Sequence, residues 1–180
     1  VKIGYIIGSL AKDSINRKLA AAYVKLVPEG VEMVEIPVAD LPLFNRDFDT
    51  DPGAEVEAFR DAVRGVDGLI LITPEHNRSF AAALHNALEW GSRPRKENVF
   101  TGKPMATAGT SGGLGTAAGQ QGLRSMLLHF NAQVMGQPEA YIQWQDEMIS
   151  DDGDVADDRT KKRLTTYIET FCAFVGDRVE

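Results

Sequence analysis

The chain has 180 residues, 43% hydrophobic and 25% charged, with a net charge of -7 at pH 7. That length suffices for one domain, residues 1–180, with its own core, and the acidity argues against nucleic acid or an anionic membrane as partner. A single cysteine, Cys172, excludes an internal disulfide; no apolar run is long enough to span a bilayer and no signal-peptide pattern opens the chain, so the expectation is a cytoplasmic protein.

Val1 to Ile7 reads as a buried first strand, followed by the polar stretch GSLAKDSIN, Gly8 to Asn16. Ile15 to Val27 has helical spacing and is stopped by Pro28 and Gly30. Val31 to Ile36 alternates apolar and acidic residues as a second strand. A long loop, ADLPLFNRDFDTDPG, carries an apolar Leu43–Phe44 pair and points to a functional or interface role. After a helix over Ala54 to Arg64, the apolar run DGLILIT, Asp67 to Thr73, reads as a central parallel strand. PEHNRSF is a second polar strand-end loop, and AAALHNALEW is the next helix. Lys103 to Gly109 gives a fourth strand and TSGGLGTAAG a third strand-end loop. A helix then runs through Leu123 to Phe130, and Ala132 to Ile142 holds a short fifth strand interrupted by Gly136 and Pro138. An acidic loop spans Asp146 to Asp158, its run from Asp151 to Asp158 reads as solvated, and Arg159 to Val175 closes the chain as a helix.

Strands alternating with helices imply an α/β three-layer sandwich around a parallel sheet. Five strands in this pattern fit the doubly wound, flavodoxin-like order 2-1-3-4-5, in which a ligand sits beyond the carboxyl ends of the strands. The three polar loops follow the first, third and fourth strands, so all three meet there. The first has the strand–loop–helix layout that binds a phosphate: unpaired N–H groups at a helix start, Ser9, Ser14 and Asn16 as side-chain donors, and Lys12 as a cation. An ordinary turn capped by Ser14 is the plainer alternative. Neither G-x-G-x-x-G nor a Walker sequence is present, which leaves a mononucleotide such as FMN.

In the second loop, Pro74, Glu75, His76 and Asn77 can offer backbone groups to the edge of a flat heterocycle. His76 reads equally as a solvated loop residue, and Glu75 as a capping acid for the helix that follows. In the third, Thr110, Ser111, Gly112 and Gly113 permit close approach to a ring, or form a flexible turn. The three histidines lack metal-ligand spacing, and no G-x-S-x-G elbow occurs.

GSLAKDSIN, LPLFNRDFD, TPEHNRSFAAALHNALEW and TGKP…GTSGGLG together resemble the NADPH-dependent FMN reductase family, and within it the quinone and chromate reductase group. The resemblance runs from about residue 2 to residue 175 and implies tightly bound FMN in a homodimer or tetramer. By position, it places Ser9, Lys12, Ser14, Ile15 and Asn16 around the FMN phosphate. Pro74, Glu75, His76 and Asn77 would line the isoalloxazine ring, and Thr110, Ser111, Gly112 and Gly113 would face its other polar atoms. The LPLFN loop would lie at the dimer interface.

The chain departs from the family pattern at several positions. Ala11 and Ala118 stand where the family has Arg, His76 where it has Tyr, Ala81–Ala82 where it has Pro-Gly, and His85 where it has Lys. Lys12 or Arg17 is the candidate replacement for the cation missing at 11. The resemblance implies an enzyme that takes hydride from NAD(P)H onto FMN and passes electrons to a quinone-like acceptor, with no catalytic side chain required. A flavodoxin-type electron carrier and a flavin-free relative are the competing readings.

Overall fold

The computed structural model describes residues 1–179. The first strand, β1 (Lys2–Ile7), leads into α1 (Ile15–Leu26), and β2 (Glu32–Glu35) lies beside β1. A short 3-10 turn over Arg46–Phe48 interrupts the long loop before α2 (Ala54–Arg64). The central strand β3 (Gly68–Ile72) is buried along its whole length, as a strand covered on both faces must be. Two very short strands, β4 (Glu75–His76) and β5 (Ser79–Phe80), make an antiparallel hairpin before α3 (Ala82–Gly91). The long strand β6 (Pro104–Ser111) precedes α4 (Ala117–His129), and β7 (Gln133–Val134), β8 (Ala140–Gln143) and α5 (Asp158–Val179) complete the chain.

The main sheet is parallel, in the order β2-β1-β3-β6, with β7 and β8 both pairing with β6. This is the expected 2-1-3-4-5 order, with the fifth position shared by two pieces. β7 pairs with Pro104 and Met105 at the start of β6, and β8 pairs with Ala108 to Ser111 at its end. Gly136 and Pro138 fall in the excursion between them, where a proline cannot donate to the ladder.

Alternation along the strands divides the core in two. Ile3, Ile7, Ile70, Ile72, Ala106 and Ala108 pack with Leu19 and Tyr23 of α1 and Ile168 and Phe171 of α5. Ile6, Leu69, Leu71 and Met105 face the other way, against Phe59 and Val63 of α2, Leu84 and Leu88 of α3, and Leu123 and Leu127 of α4. That is the three-layer arrangement: two helices, sheet, three helices.

Two loops are more ordered than their composition suggests. The acidic segment before α5 is not simply solvated: Lys18 pairs with Asp151 and Lys25 with Asp154, each at 2.7 Å, and Ile149 is buried. Such exposed pairs contribute about 0–1 kcal/mol each, so they dock the loop on α1 without carrying the fold. In the LPLFN loop, Phe44 packs edge-on to Trp90 at 4.9 Å, and its N–H donates to Asn86 Oδ1 at 2.7 Å. The Pro42 carbonyl accepts from both Trp90 Nε1 and Asn86 Nδ2. Of the expected apolar pair only Leu43, 85% exposed, is left facing solvent.

Cys172 is 9% exposed in α5, and burial, reinforced by Glu169, pushes its thiol from 9.0 up to about 11. That leaves about a hundredfold less thiolate at pH 8 than an unshifted thiol has. Native protein should therefore react with a disulfide reagent at least about a hundredfold more slowly than urea-unfolded protein. Equal rates in the two states would show an accessible thiol.

Candidate functional site

The three polar loops meet beyond the carboxyl ends of β1, β3 and β6, and four hydrogen bonds tie them together. Gly8 N–H donates to the Ile72 carbonyl at 2.8 Å, joining the first loop to the end of β3. Asn16 Nδ2 donates to the Thr110 carbonyl at 3.1 Å while Thr110 N–H donates to Asn16 Oδ1 at 3.0 Å, joining α1 to the end of β6. Gly119 N–H donates to Glu75 Oε2 at 3.0 Å, joining the second loop to α4. Close packing reinforces this junction, since a Cβ on Gly109 would collide with the Thr73 carbonyl and the Thr116 hydroxyl.

The first loop is left short of partners. No backbone N–H from Ser9 to Asn16 donates to a protein acceptor among the described residues. Ser14 is the N-cap residue of α1 with extended backbone, yet its hydroxyl makes no capping bond although the residue is only 6% exposed. The first turn of α1 holds no acid. A helix N-terminus with free N–H groups, an idle hydroxyl on a largely buried serine and no acid in its first turn can receive an external anion. Ser9 and Ile15 are half-buried beside it, and Lys12 is exposed. Arg17 is committed elsewhere, in a two-pronged pair with Glu35 at 3.0–3.1 Å. Lys12 is therefore the nearby cation without an ion-pair partner among the described residues.

The second loop differs from the sequence reading in two respects. Asn77 and Arg78, both at positive φ, form the two-residue turn of the β4–β5 hairpin. Glu75 is a capping acid, but for α4 and not for α3, because the hairpin carries its carboxylate across to Gly119; Arg78 Nη1 holds its other oxygen at 3.3 Å. Pro74 is buried, and His76 and Asn77 are exposed. Thr73, which the sequence did not single out, organises this turn: its hydroxyl accepts from Ala81 N–H at 3.1 Å and donates to the Pro74 carbonyl at 2.8 Å.

The third loop begins with a buried Thr110, whose hydroxyl has no partner. Ser111 Oγ accepts from Thr116 N–H at 3.2 Å, bracing the loop from inside. Gly112 and Gly113 are exposed, and a Cβ at either would meet nothing within 4 Å. No atom of the protein itself demands glycine there, which fits a place kept flat for a ligand. Gln120 is a further organiser that the sequence did not reveal: buried in α4, it accepts from the Thr107 hydroxyl and donates to Thr116 Oγ1 and to the Ala140 carbonyl. An anion cradle beside a slot of small residues is suited to a phosphate joined to a planar group.

Residues 1–146 match the NADPH-dependent FMN reductase family. A 2-hydroxy-1,4-benzoquinone reductase from a Burkholderia species is 38% identical over 179 residues, covering 99% of this chain and 98% of the relative. A solved structure, the FerB flavoenzyme NAD(P)H:(acceptor) oxidoreductase from Paracoccus denitrificans, superposes with a TM-score of 0.93 at 37% identity over 98% of both chains. A flavodoxin from Pseudomonas aeruginosa shares the fold alone, with a TM-score of 0.61 at 14% identity over 98% of this chain and 99% of its own.

Two neighbouring residues of the first loop should behave oppositely when truncated. Asn16→Ala strands a buried N–H and a buried C=O, so unfolding in urea should show a loss of about 2 kcal/mol or more. Ser14→Ala removes a hydroxyl with no capping bond, so the same measurement should stay within about 0.5 kcal/mol of the parent. A large loss for Ser14→Ala would mean that its hydroxyl caps α1 after all.

Proposed function

The chain belongs to the NADPH-dependent FMN reductase family, and from that premise we propose that it is an FMN-dependent oxidoreductase taking hydride from NAD(P)H and reducing a quinone. The observation that carries this reading is the unpaired start of α1, with free N–H groups from Ser9 to Asn16 and an idle Ser14 hydroxyl. Those groups suit a phosphate monoester, with Lys12 supplying charge from the loop. Asn16 has one amide hydrogen left for the same phosphate, the other being spent on Thr110. The buried, unpartnered Thr110 hydroxyl and the open backbone of Gly112 and Gly113 suit a flat ring laid against the third loop, bordered by Pro74 to Asn77.

FMN held there would supply the redox chemistry between NAD(P)H and the acceptor. The protein's part is to hold the phosphate, orient the ring and keep the crevice in shape through Glu75, Asn16 and Thr73. The ring-bordering stretches contain no Trp, Tyr or Phe to cover one face, so a flat nicotinamide or quinone can enter. With Arg17 held by Glu35 and alanines at 11 and 118, the entrance has little cationic attraction, which favours neutral quinones over compact anions.

Purified protein should bind FMN and show a flavin absorption band that is released on denaturation. Ser14→Ala should weaken FMN binding by about 1 kcal/mol or more without loss of fold. NAD(P)H and quinone must use one crevice in turn, so initial-rate plots at several fixed quinone concentrations should be parallel. Protein that stays colourless after incubation with excess FMN would overturn the reading.

The exposed Leu43 sits on a loop fixed by Asn86 and Trp90, and we infer that it meets a second copy of the chain. Leu43→Asp should shift sedimentation toward the single-chain species by about tenfold or more in dissociation constant. An unchanged profile would place the contact elsewhere.

A further inference from the structure

We propose a second ligand site, separate from the loop crevice: the cavity between β8 and α5, suited to a small aromatic carboxylate or similar amphipathic anion. The cavity measures about 290 Å³, near the small end of what ligand pockets occupy. Tyr23 of α1 lies at its floor, Ile142 of β8 forms one wall, and Leu164 and Tyr167 of α5 form another. All four are 2% exposed or less, so the inner lining of the cavity is largely shielded from bulk solvent.

Two independent features point to a ligand. The first is the Tyr23 hydroxyl, which is buried and finds no partner. Its neighbour Tyr167 is satisfied, donating to the Thr107 carbonyl at 2.9 Å. A buried, unpaired hydroxyl costs about 1–3 kcal/mol, and few persist in native proteins without a water or ligand. Burial, then proximity to Tyr167, raises the Tyr23 phenol well above its usual range, so it stands as an O–H donor at neutral pH.

The second feature is the rim. Arg159, Lys162 and Arg163 from the first turns of α5 line the mouth, on a chain whose net charge is -7. Neither Arg159 nor Lys162 meets a carboxylate within ion-pair distance among the described residues. Arg163 spends one Nη2 bond on the Tyr141 carbonyl at 2.7 Å. The single acid on the rim, Glu139, is occupied by the Tyr141 hydroxyl at 2.8 Å. An apolar interior with a donor at its floor and cations at its mouth selects a molecule with an apolar body and an anionic head.

The site does not depend on the flavin reading, and its test separates the two. The probe is 2-naphthoate, titrated into full-length protein carrying ¹³C-labelled Ile and Leu methyl groups. Saturable shifts are expected at Ile142 and Leu164 and not at Leu114, the exposed reporter in the third loop. The neutral isostere 2-naphthalenemethanol should bind about tenfold more weakly, as should 2-naphthoate to an Arg159→Glu/Lys162→Glu double variant. Tyr23→Phe should weaken binding with little change in shape, and the surface double variant keeps the proposal testable if Tyr23→Phe unfolds. Shifts confined to Leu114, equal affinity for the neutral alcohol, or full affinity in the charge-reversed variant would each overturn the proposal.

Discussion

The pairing of Asn16 with Thr110 is the constraint on which the site depends. One side-chain amide replaces the partner that a neighbouring strand would supply, accepting from the Thr110 N–H and donating to its carbonyl. Both residues are buried, so neither bond can be exchanged for water without cost. The two positions are 94 residues apart in sequence, and the bond fixes the start of α1 against the end of β6. The backbone bond from Gly8 to Ile72 then sets the first loop against β3, and Glu75 sets the second loop against α4. Each loop is thereby braced by a different neighbour, and none of them needs to order itself.

This bracing explains how the start of α1 can remain uncapped. A helix N-terminus normally satisfies its first N–H groups with its own N-cap side chain or a nearby acid, and α1 uses neither. The resulting deficit is local and is offset by burial elsewhere: α1 seats Leu19, Ala22 and Tyr23, all 0% exposed, between the sheet and α5. α4 presents the contrasting solution. Its N-cap Thr116 sits at positive φ without a side-chain cap, and Glu75 arrives from another loop to supply the missing acceptor. The two helix starts face the same crevice, one closed by the protein and one left open. That asymmetry leaves the start of α1, unlike that of α4, with N–H groups free for an acceptor from outside the chain.

Much of this was legible in the sequence because it depends on local pattern. Apolar runs and their spacing located β1, β3, β6 and the helices between them, and the alternation fixed the sheet order once parallel crossovers were assumed. What escaped was decided by partners distant in sequence. Glu75 has the composition of a cap for the helix that follows it, and only the folded hairpin turns it toward α4. Phe44 looks like free apolar surface until Trp90 is placed beneath it. Thr73 and Gln120 carry no motif, since a buried hydroxyl or amide becomes an organiser only when backbone groups from other elements reach it. The split between β7 and β8 was half visible: Gly136 and Pro138 marked a break, but not that both pieces would pair with one strand.

The distribution of cations bears on which ligands the chain can take. Several arginines are consumed by the fold. Arg17 is held by Glu35, Arg64 by Asp61, and Arg60 lies 2% exposed between Glu57 and Glu97. At the first loop only Lys12 remains, and Asp13 beside it partly cancels its charge. A helix N-terminus supplies the equivalent of about half a charge, so an anion there must be held chiefly by directed N–H and hydroxyl bonds. Such bonds recognise the shape of a phosphate and lose little to salt, whereas attraction over a distance is screened within about 10 Å at 0.1 M ionic strength. The first loop therefore has the means to hold one anionic group at close range while exerting little long-range attraction of its own.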